Sequence, residues 1–343
     1  MLVLAGDIGG TKTAIGAVSI ERSRLRILRE RSYPSAGYPG LEEIVEDFLG
    51  GERLAVRAAA FGVAGPVRDG RSRVTKLPWV LDERALARRL KIPKIRLLND
   101  FAAAALGLPF LRPRQVAVLA AGEAEPGGPI GIIGAGTGLG QAAVARVGGR
   151  IWPFPSEGGH VDFGPRNDRE DRLLRFLRKK FGRLDRDRIL SGEGLGHLYD
   201  FLSADEFAPE TDRVTRAMAS EDRAAVISRF GLAGRDRLCA EALRLFVSIY
   251  GSEAGNLALQ YRATGGVYLA GGIAPKILPA LRRPDFMEAF RKKPPLEELL
   301  AKIPVRVVLE PRLPLLGAAA VAYMTAMEKT RPSSKTTMRR TRS

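Results

Sequence analysis

One local pattern occurs twice in this chain and constrains its fold more than any other feature. "LVLAGDIGGTKTAIGAV" (2–18) and "IGIIGAGTGLGQAAVARV" (130–147) each read as an apolar strand, a glycine loop carrying a threonine, and a second apolar strand. Apolar runs on both sides of a glycine turn predict a β-hairpin. Its recurrence predicts two related halves, each offering one glycine hairpin. The 343 residues suffice for two domains. Strands alternate with helices through the first hundred residues, which predicts an α/β sheet.

In the first loop, Gly6, Gly9 and Gly10 permit positive φ and close approach of backbone N–H groups to a ligand, as an anion-binding nest requires. Asp7 stands where the first strand leaves the core. With Thr11 it offers the carboxylate and hydroxyl that a Mg²⁺ shell beside bound phosphate needs. The plain alternative is a glycine turn with a polar tip. Two other phosphate loops are excluded: a Walker A loop needs Gly immediately before Lys, and a dinucleotide loop opens a helix rather than a strand.

Composition narrows the class. With 45% hydrophobic and 27% charged residues the chain reads as a soluble globular protein. A single cysteine, Cys239, rules out an internal disulfide framework, and two histidines argue against a structural zinc site. No signal pattern opens the chain and no apolar run approaches the roughly 18 residues of a membrane span, so the expected location is the cytoplasm. The net charge is +17, but six basic residues fall in "KTRPSSKTTMRRTRS" (329–343), a polar tail expected to be disordered, which leaves +11 for the body. There the arginines are interspersed with acids and read as solvated helix faces, not as a nucleic-acid stripe.

Further along, helices are expected from about Leu41, after Asp82, over 167–181, 192–203, 213–227 and 234–260, and through "LLGAAAVAYMTAM". Strands are expected in "RLAVRAAAFGVAG", "KIRLL", "QVAVLAAG" and "IPVRVVLE". "TGGVYLAGGIAPKI" reads as a buried strand ending in Gly271-Gly272, with a helix from about Pro275. Asn99 and Asp100 open the helix "FAAAALGL", where either could be a plain N-cap. The spacing of Glu157 and His160 would suit a helical metal pair, but Gly158-Gly159 argues against a helix there.

The order of motifs resembles bacterial glucokinase, in the zinc-free branch of the hexokinase/actin/heat-shock chaperone superfamily. The residues that carry the resemblance are "GDIGGTKT" (6–13), "FGVAGPV" (61–67), "LLNDF" (97–101), "GAGTGLG" (134–140), "SEGGHVDF" (156–163), "RILSGEGL" (188–195), "GGVYLAGGIAPK" (265–276) and "LLGA" (315–318). The related ROK sugar kinases and repressors typically carry a cysteine-rich zinc motif that is missing here. The resemblance implies a two-domain actin-like ATPase (ribonuclease H-like) fold with a duplicated strand-loop-strand phosphate clamp. Its expected divisions are 1–108 plus 309–328 as a small α/β domain, 109–308 as a large α/β domain with a helical insertion, and the tail.

The implied activity is ATP-dependent phosphorylation of D-glucose at its 6-hydroxyl, with Mg²⁺, by a homodimer. Asp100 would be the base, and Asn99, Asp100, Glu157, His160 and Asp187 would hold the sugar. Gly6, Asp7, Ile8, Gly9, Gly10, Thr11, Gly136, Thr137, Gly138, Gly271 and Gly272 would hold the nucleotide, with Asp7 reaching the metal through water. At a helix N-terminus Asp100 is expected to have a low pKa. Two positions depart from the family pattern: Asp187 stands for a glutamate that reaches the anomeric end of the sugar, and Lys76 stands for an asparagine. Both motivate another hexose, such as mannose or N-acetylglucosamine, as the alternative substrate. A sugar-sensing regulator using the basic tail, and an ATPase switch, are the other readings.

Overall fold

The computed structural model describes residues 1–21, 24–51 and 55–328. The basic tail at 329–343, with its expected disorder, lies outside the described residues. The first lobe runs through β1 (Leu2–Ile8), β2 (Lys12–Glu21), β3 (Arg24–Pro34), α1 (Leu41–Leu49) and β4 (Ala59–Val63). It continues through a side sheet of β5 (Val67–Arg68), β6 (Arg71–Arg73) and β7 (Val80–Asp82), then α2 (Glu83–Leu90), β8 (Ile95–Asn99) and α3 (Asp100–Gly107). Its main sheet has the order β3-β2-β1-β4-β8, antiparallel across the hairpin and parallel from β1 to β8.

The second lobe begins with β9 (Val116–Ala120), β10 (Ile130–Ala135), β11 (Leu139–Val147) and β12 (Arg150–Ser156). Helices α4 (Asp168–Phe181), α5 (Gly192–Ala204), α6 (Asp212–Met218), α7 (Arg223–Leu232) and α8 (Arg237–Gln260) follow. Then come β13 (Gly266–Ala270), the short helices α9 (Leu278–Leu281), α10 (Pro284–Arg291) and α11 (Glu297–Lys302), β14 (Val305–Val308) and α12 (Leu313–Met327). The sheet order is β12-β11-β10-β13-β14-β9. Its first five strands repeat the order and strand directions of the first sheet, so the duplication seen in the sequence is a duplication of topology.

Patterning explains how the layers stack. The amphipathic helices α1 and α2 cover one face of the first sheet with Leu41, Ile44, Phe48 and Leu86 over Phe61 and Ile95, each such side chain contributing about 2 kcal/mol of burial. On its other face lies α12, whose alanines Ala318, Ala319 and Ala322 meet Val3, Ala5 and Val18. Small side chains let α12 and α3 approach until backbones touch: a Cβ on Gly317 would lie 1.7 Å from the Ala103 carbonyl oxygen. Helix α3 in turn packs across β10 and β11, placing it between the two sheets. The far face of the second sheet is covered by α5, α7 and α8 around Leu198, Phe246 and Tyr250.

Three expectations are corrected. The helix expected over 213–227 is two helices, because Asp222 caps α7 by accepting the Ala225 N–H at 2.8 Å. No helix starts at Pro275; residues 271–277 form a turn, and α9 is a four-residue segment after it. The strand expected from Arg53 forms only at Ala59–Val63, with 52–54 outside the described residues. No helix among the described residues is long and apolar enough to cross a membrane.

Candidate active site

The strand ends β1, β4 and β8 run parallel and finish side by side, the edge at which open α/β sheets bind ligands. Asp7 pairs with Gly62 in register, and Gly62 leaves room for α3: its Cβ would sit 3.5 Å from Asp100 Cα. The two carboxylates thereby lie close enough for their charges to interact. Burial pushes the Asp7 carboxyl up to about 7, the charge of Asp100 pushes the same way, and Lys12 opposes both. Burial also lifts Asp100 to about 6, against the Phe101 N–H that its Oδ1 accepts at 2.8 Å, with the charge of Glu157 adding to the rise. The low pKa expected from the helix N-terminus is therefore wrong, because desolvation outweighs the backbone donors.

The N-cap is Asn99, not Asp100. Its Oδ1 accepts from the Phe101 and Ala102 N–H groups at 3.0 and 3.1 Å, and its Nδ2 lies 3.5 Å from the Gly65 carbonyl. Capping by Asn99 leaves Asp100 Oδ2 without a protein donor among the described residues.

The first hairpin turn is built differently from its expectation. None of Gly6, Gly9 and Gly10 lies at positive φ; the demand on them is close packing. A Cβ on Gly10 would fall 2.8 Å from the Thr75 carbonyl oxygen and 3.2 Å from Lys76 Cβ, so the 75–76 loop lies against the turn. Gly6 is buried within the sheet, where a Cβ would meet Phe61 at 2.6 Å. Ile8 is a core side chain whose carbonyl accepts from Ala64 at 2.9 Å. The side-chain positions of both are buried in the sheet. Gly9 donates to the Lys12 carbonyl at 3.0 Å and its own carbonyl accepts from the Ser35 hydroxyl at 2.8 Å. The N–H groups of Gly10 and Thr11 have no protein acceptor among the described residues.

The second turn repeats the device. Gly136 donates to the Gly138 carbonyl at 2.8 Å, leaving the N–H groups of Thr137 and Gly138 without a protein acceptor among the described residues. Gly271, at φ +79°, lies so close to β10 that a Cβ would fall 2.5 Å from the Ala135 carbonyl oxygen. Gly271 and Gly272 are therefore exposed beside Gly136. With no helix following them at once, the helix-terminus reading of this pair lapses.

Glu157 and His160 bracket a single 3₁₀ turn, Gly158–His160, and His160 Nδ1 is 3.3 Å from Asp185 Oδ2. Asp187 lies between this turn and the second hairpin: its Oδ1 accepts the Leu139 N–H at 2.6 Å, on that hairpin, and its backbone N–H donates to the Gly159 carbonyl at 2.8 Å, beside Glu157 and His160. Lys76 is exposed at φ +65°, a conformation that costs a lysine more than an asparagine.

Comparison with known proteins gives this geometry a family. A family model for glucokinase matches residues 4–325. The chain belongs to the glucokinase family. A glucokinase from Nostoc sp. is 43% identical over 337 residues, spanning 94% of this chain and 98% of the relative. A crystal structure of a glucokinase from an Antarctic psychrotroph superposes with a TM-score of 0.82 at 30% identity, covering 94% of this chain and 99% of its own. A ROK-family glucokinase from Streptomyces griseus, solved with glucose and AMPPNP, shares the fold at a TM-score of 0.66 and 22% identity, over 94% of this chain and 100% of its own.

Several supports of this glucokinase-family site have no signal in the sequence. Phe101 lies against the glycines that flank the second turn: a Cβ on Gly140 would be 1.9 Å from its Cε2, and one on Gly134 would be 2.8 Å from its Cζ. The residue after Asp100 is thereby seated in the other lobe's hairpin. Buried Glu253 accepts from Arg186 at 2.5 Å, Gln141 at 2.7 Å and Asn256 at 2.9 Å, tying the 185–187 segment to β11. Only the glycines themselves could have hinted at the first contact.

Proposed function

We propose that this chain transfers the γ-phosphoryl group of ATP to the 6-hydroxyl of D-glucose, releasing ADP and glucose 6-phosphate. The observation that carries the reading is the pair of half-buried carboxylates, Asp7 and Asp100, both with raised pKa values, at the strand ends between two hairpins with unclaimed backbone donors. The sugar oxygen attacks the γ-phosphorus, the bridging P–O bond breaks with its electron pair leaving on ADP, and the hydroxyl proton passes to Asp100. A carboxylate near pKa 6 is ionised at neutral pH and is a better proton acceptor than one near 4. Because the transition state is loose, positioning does most of the work.

The N–H groups of Gly10, Thr11, Thr137 and Gly138 grip the phosphates from the two lobes. Asn99, through its remaining amide hydrogen, and Glu157 and His160 hold sugar hydroxyls. Asp7 fits a divalent cation: two half-buried carboxylates that repel each other favour a positive charge beside them. Among the described residues no cluster of three or more ligating side chains exists, so ATP phosphates and water would complete the shell. Mg²⁺ bound there would offset phosphate charge.

The reading takes residues 1–108 with 309–328 as one lobe and 109–308 as the other; the packing of α12 on β1 and β4 supports it. A cytoplasmic homodimer is the assembly this reading takes. The side chain of Asp187, one methylene shorter than glutamate, favours some tolerance of other hexoses. Initial rates of ADP formation with Mg²⁺-ATP and glucose, mannose, fructose, N-acetylglucosamine or no sugar test the proposal. A higher specificity constant for another hexose would reassign the substrate, and sugar-independent turnover would make the chain an ATPase.

A further inference from the structure

Between the exposed Glu157 and His160, Gly158 and Gly159 are buried against β11. A Cβ on Gly159 would lie 2.1 Å from the Leu139 carbonyl oxygen, and one on Gly158 would lie 2.3 Å from Gln141 Oε1. Gln141 is 1% exposed, and this oxygen has no hydrogen-bond partner among the described residues. A buried acceptor left unpaired needs a cause. Here the cause is the other end of the same amide. Gln141 Nε2 donates to Glu253 Oε1 at 2.7 Å, and an ionised carboxylate only accepts, so the amide nitrogen faces α8 and the oxygen faces Gly158. The same Glu253 oxygen accepts from Arg186 at 2.5 Å, and the Arg186 backbone N–H donates to the Val161 carbonyl at 3.2 Å, just past the turn. Glu253 thus holds the turn at both ends, at Gly158 through Gln141 and at Val161 through Arg186. Its second oxygen accepts from Asn256 at 2.9 Å, and Asn256 in turn accepts from Lys293 at 2.5 Å, which fixes the carboxylate itself.

We propose that Glu253 is a positioning residue for the sugar: from α8, without touching substrate, it orients Gln141 and Arg186 so that the turn between them presents Glu157 and His160 to sugar hydroxyls. The inference rests on the kinase reading above. Burial pushes the Glu253 carboxyl up, and the charge of Arg186 and the hydrogen bonds from Asn256 and Gln141 oppose it, so the charge is kept against a desolvation cost. Stability alone does not account for such a group, because a buried ion pair commonly adds no more than well-packed apolar side chains would. Orientation does: groups that recognise hydroxyls discriminate best when their frame is fixed before the sugar arrives.

The test is calorimetric. Dissociation constants of glucose and mannose, and separately of a non-hydrolysable ATP analogue without sugar, are measured for the native protein, Gln141→Leu and Glu253→Gln. Gln141→Leu keeps bulk but neither reaches Gly158 nor bonds Glu253, which retains Arg186 and Asn256. Because a displacement of about 1 Å costs on the order of 100-fold, this variant is expected to weaken the better-bound hexose at least about tenfold while the analogue moves less than about twofold. Glu253→Gln keeps an amide oxygen able to accept from both Gln141 and Arg186, and is expected to stay within about threefold of the native hexose affinity. Unchanged hexose affinity in Gln141→Leu, or equal weakening of hexose and analogue, overturns the proposal. If Gln141→Leu fails to fold, Glu253→Met combined with Arg186→Met carries the same readouts, because removing both charges together strands neither. A native protein that binds a hexose without phosphorylating it ends the kinase reading while these constants still decide the role of Glu253; one that binds no hexose overturns both.

Discussion

Replacing Asp7 by Asn should make the unliganded protein more stable at neutral pH while removing most of its activity. The folded pKa of Asp7, about 7, lies above its ordinary value of 3.8. A carboxylate raised in this way contributes stability that is complete below the unfolded pKa and is lost as pH rises through the folded one. Each pH unit separating the two values corresponds to about 1.4 kcal/mol, so ionised Asp7 costs the fold at most about 4 kcal/mol by pH 8 and under half of that at pH 5. Asn, nearly isosteric and neutral, escapes the cost. With an unfolding entropy of ~2.1 cal/mol/K per residue, 4 kcal/mol corresponds to about 6 °C for a chain of this length. The assay is thermal denaturation of native and Asp7→Asn protein at pH 5 and pH 8 without nucleotide or divalent cation, beside turnover with Mg²⁺-ATP and glucose. The expected result is a gain in Tm at pH 8 that shrinks at pH 5, with a loss in turnover on the order of 100-fold. A gain over the native protein no larger at pH 8 than at pH 5 would refute the claim that this carboxylate is held in a desolvated, repulsive site for function.

The acid limb of kcat/KM should fall near pH 6, the rate dropping about tenfold per pH unit below it as half-buried Asp100 takes up a proton; a limb near pH 4 would mean that the helix donors outweigh burial, and Asp100→Asn should abolish turnover. Gly140→Ala forces Phe101 to retreat from a 1.9 Å contact, costing about 1–3 kcal/mol of stability. Because Asp100 is the preceding residue, turnover should fall by up to ~100-fold; an unchanged rate would show that Phe101 does not position Asp100. Glu253→Ala strands the Arg186 cation in a largely buried position and should cost about 3–5 kcal/mol in urea denaturation, whereas a change under about 1 kcal/mol would show that water replaces the pair.

Much of this molecule is local and was legible in order along the chain. Apolar runs around glycines fix both hairpins, Asp82 and Asn99 cap the helices that follow them, and Gly158-Gly159 excludes a helical metal pair. These follow from nearest-neighbour backbone chemistry, which a sequence states directly. The motif order also carries the family, whose model matches residues 4–325.

Only the tertiary structure decided how those residues are packed and how their charges behave. Gly6 and Ile8 belong to the motif, yet β2 and β4 bury them, and Gly10 answers to the 75–76 loop rather than to a positive φ. The pKa of Asp100 is set by the burial that both lobes impose, which exceeds the local effect of its helix. Asp187 meets Leu139 across 48 residues of chain and Phe101 meets Gly140 across the lobes. Contacts of that range depend on how sheets and helices stack, and desolvation depends on everything that surrounds a group, so neither is written in the residues beside it.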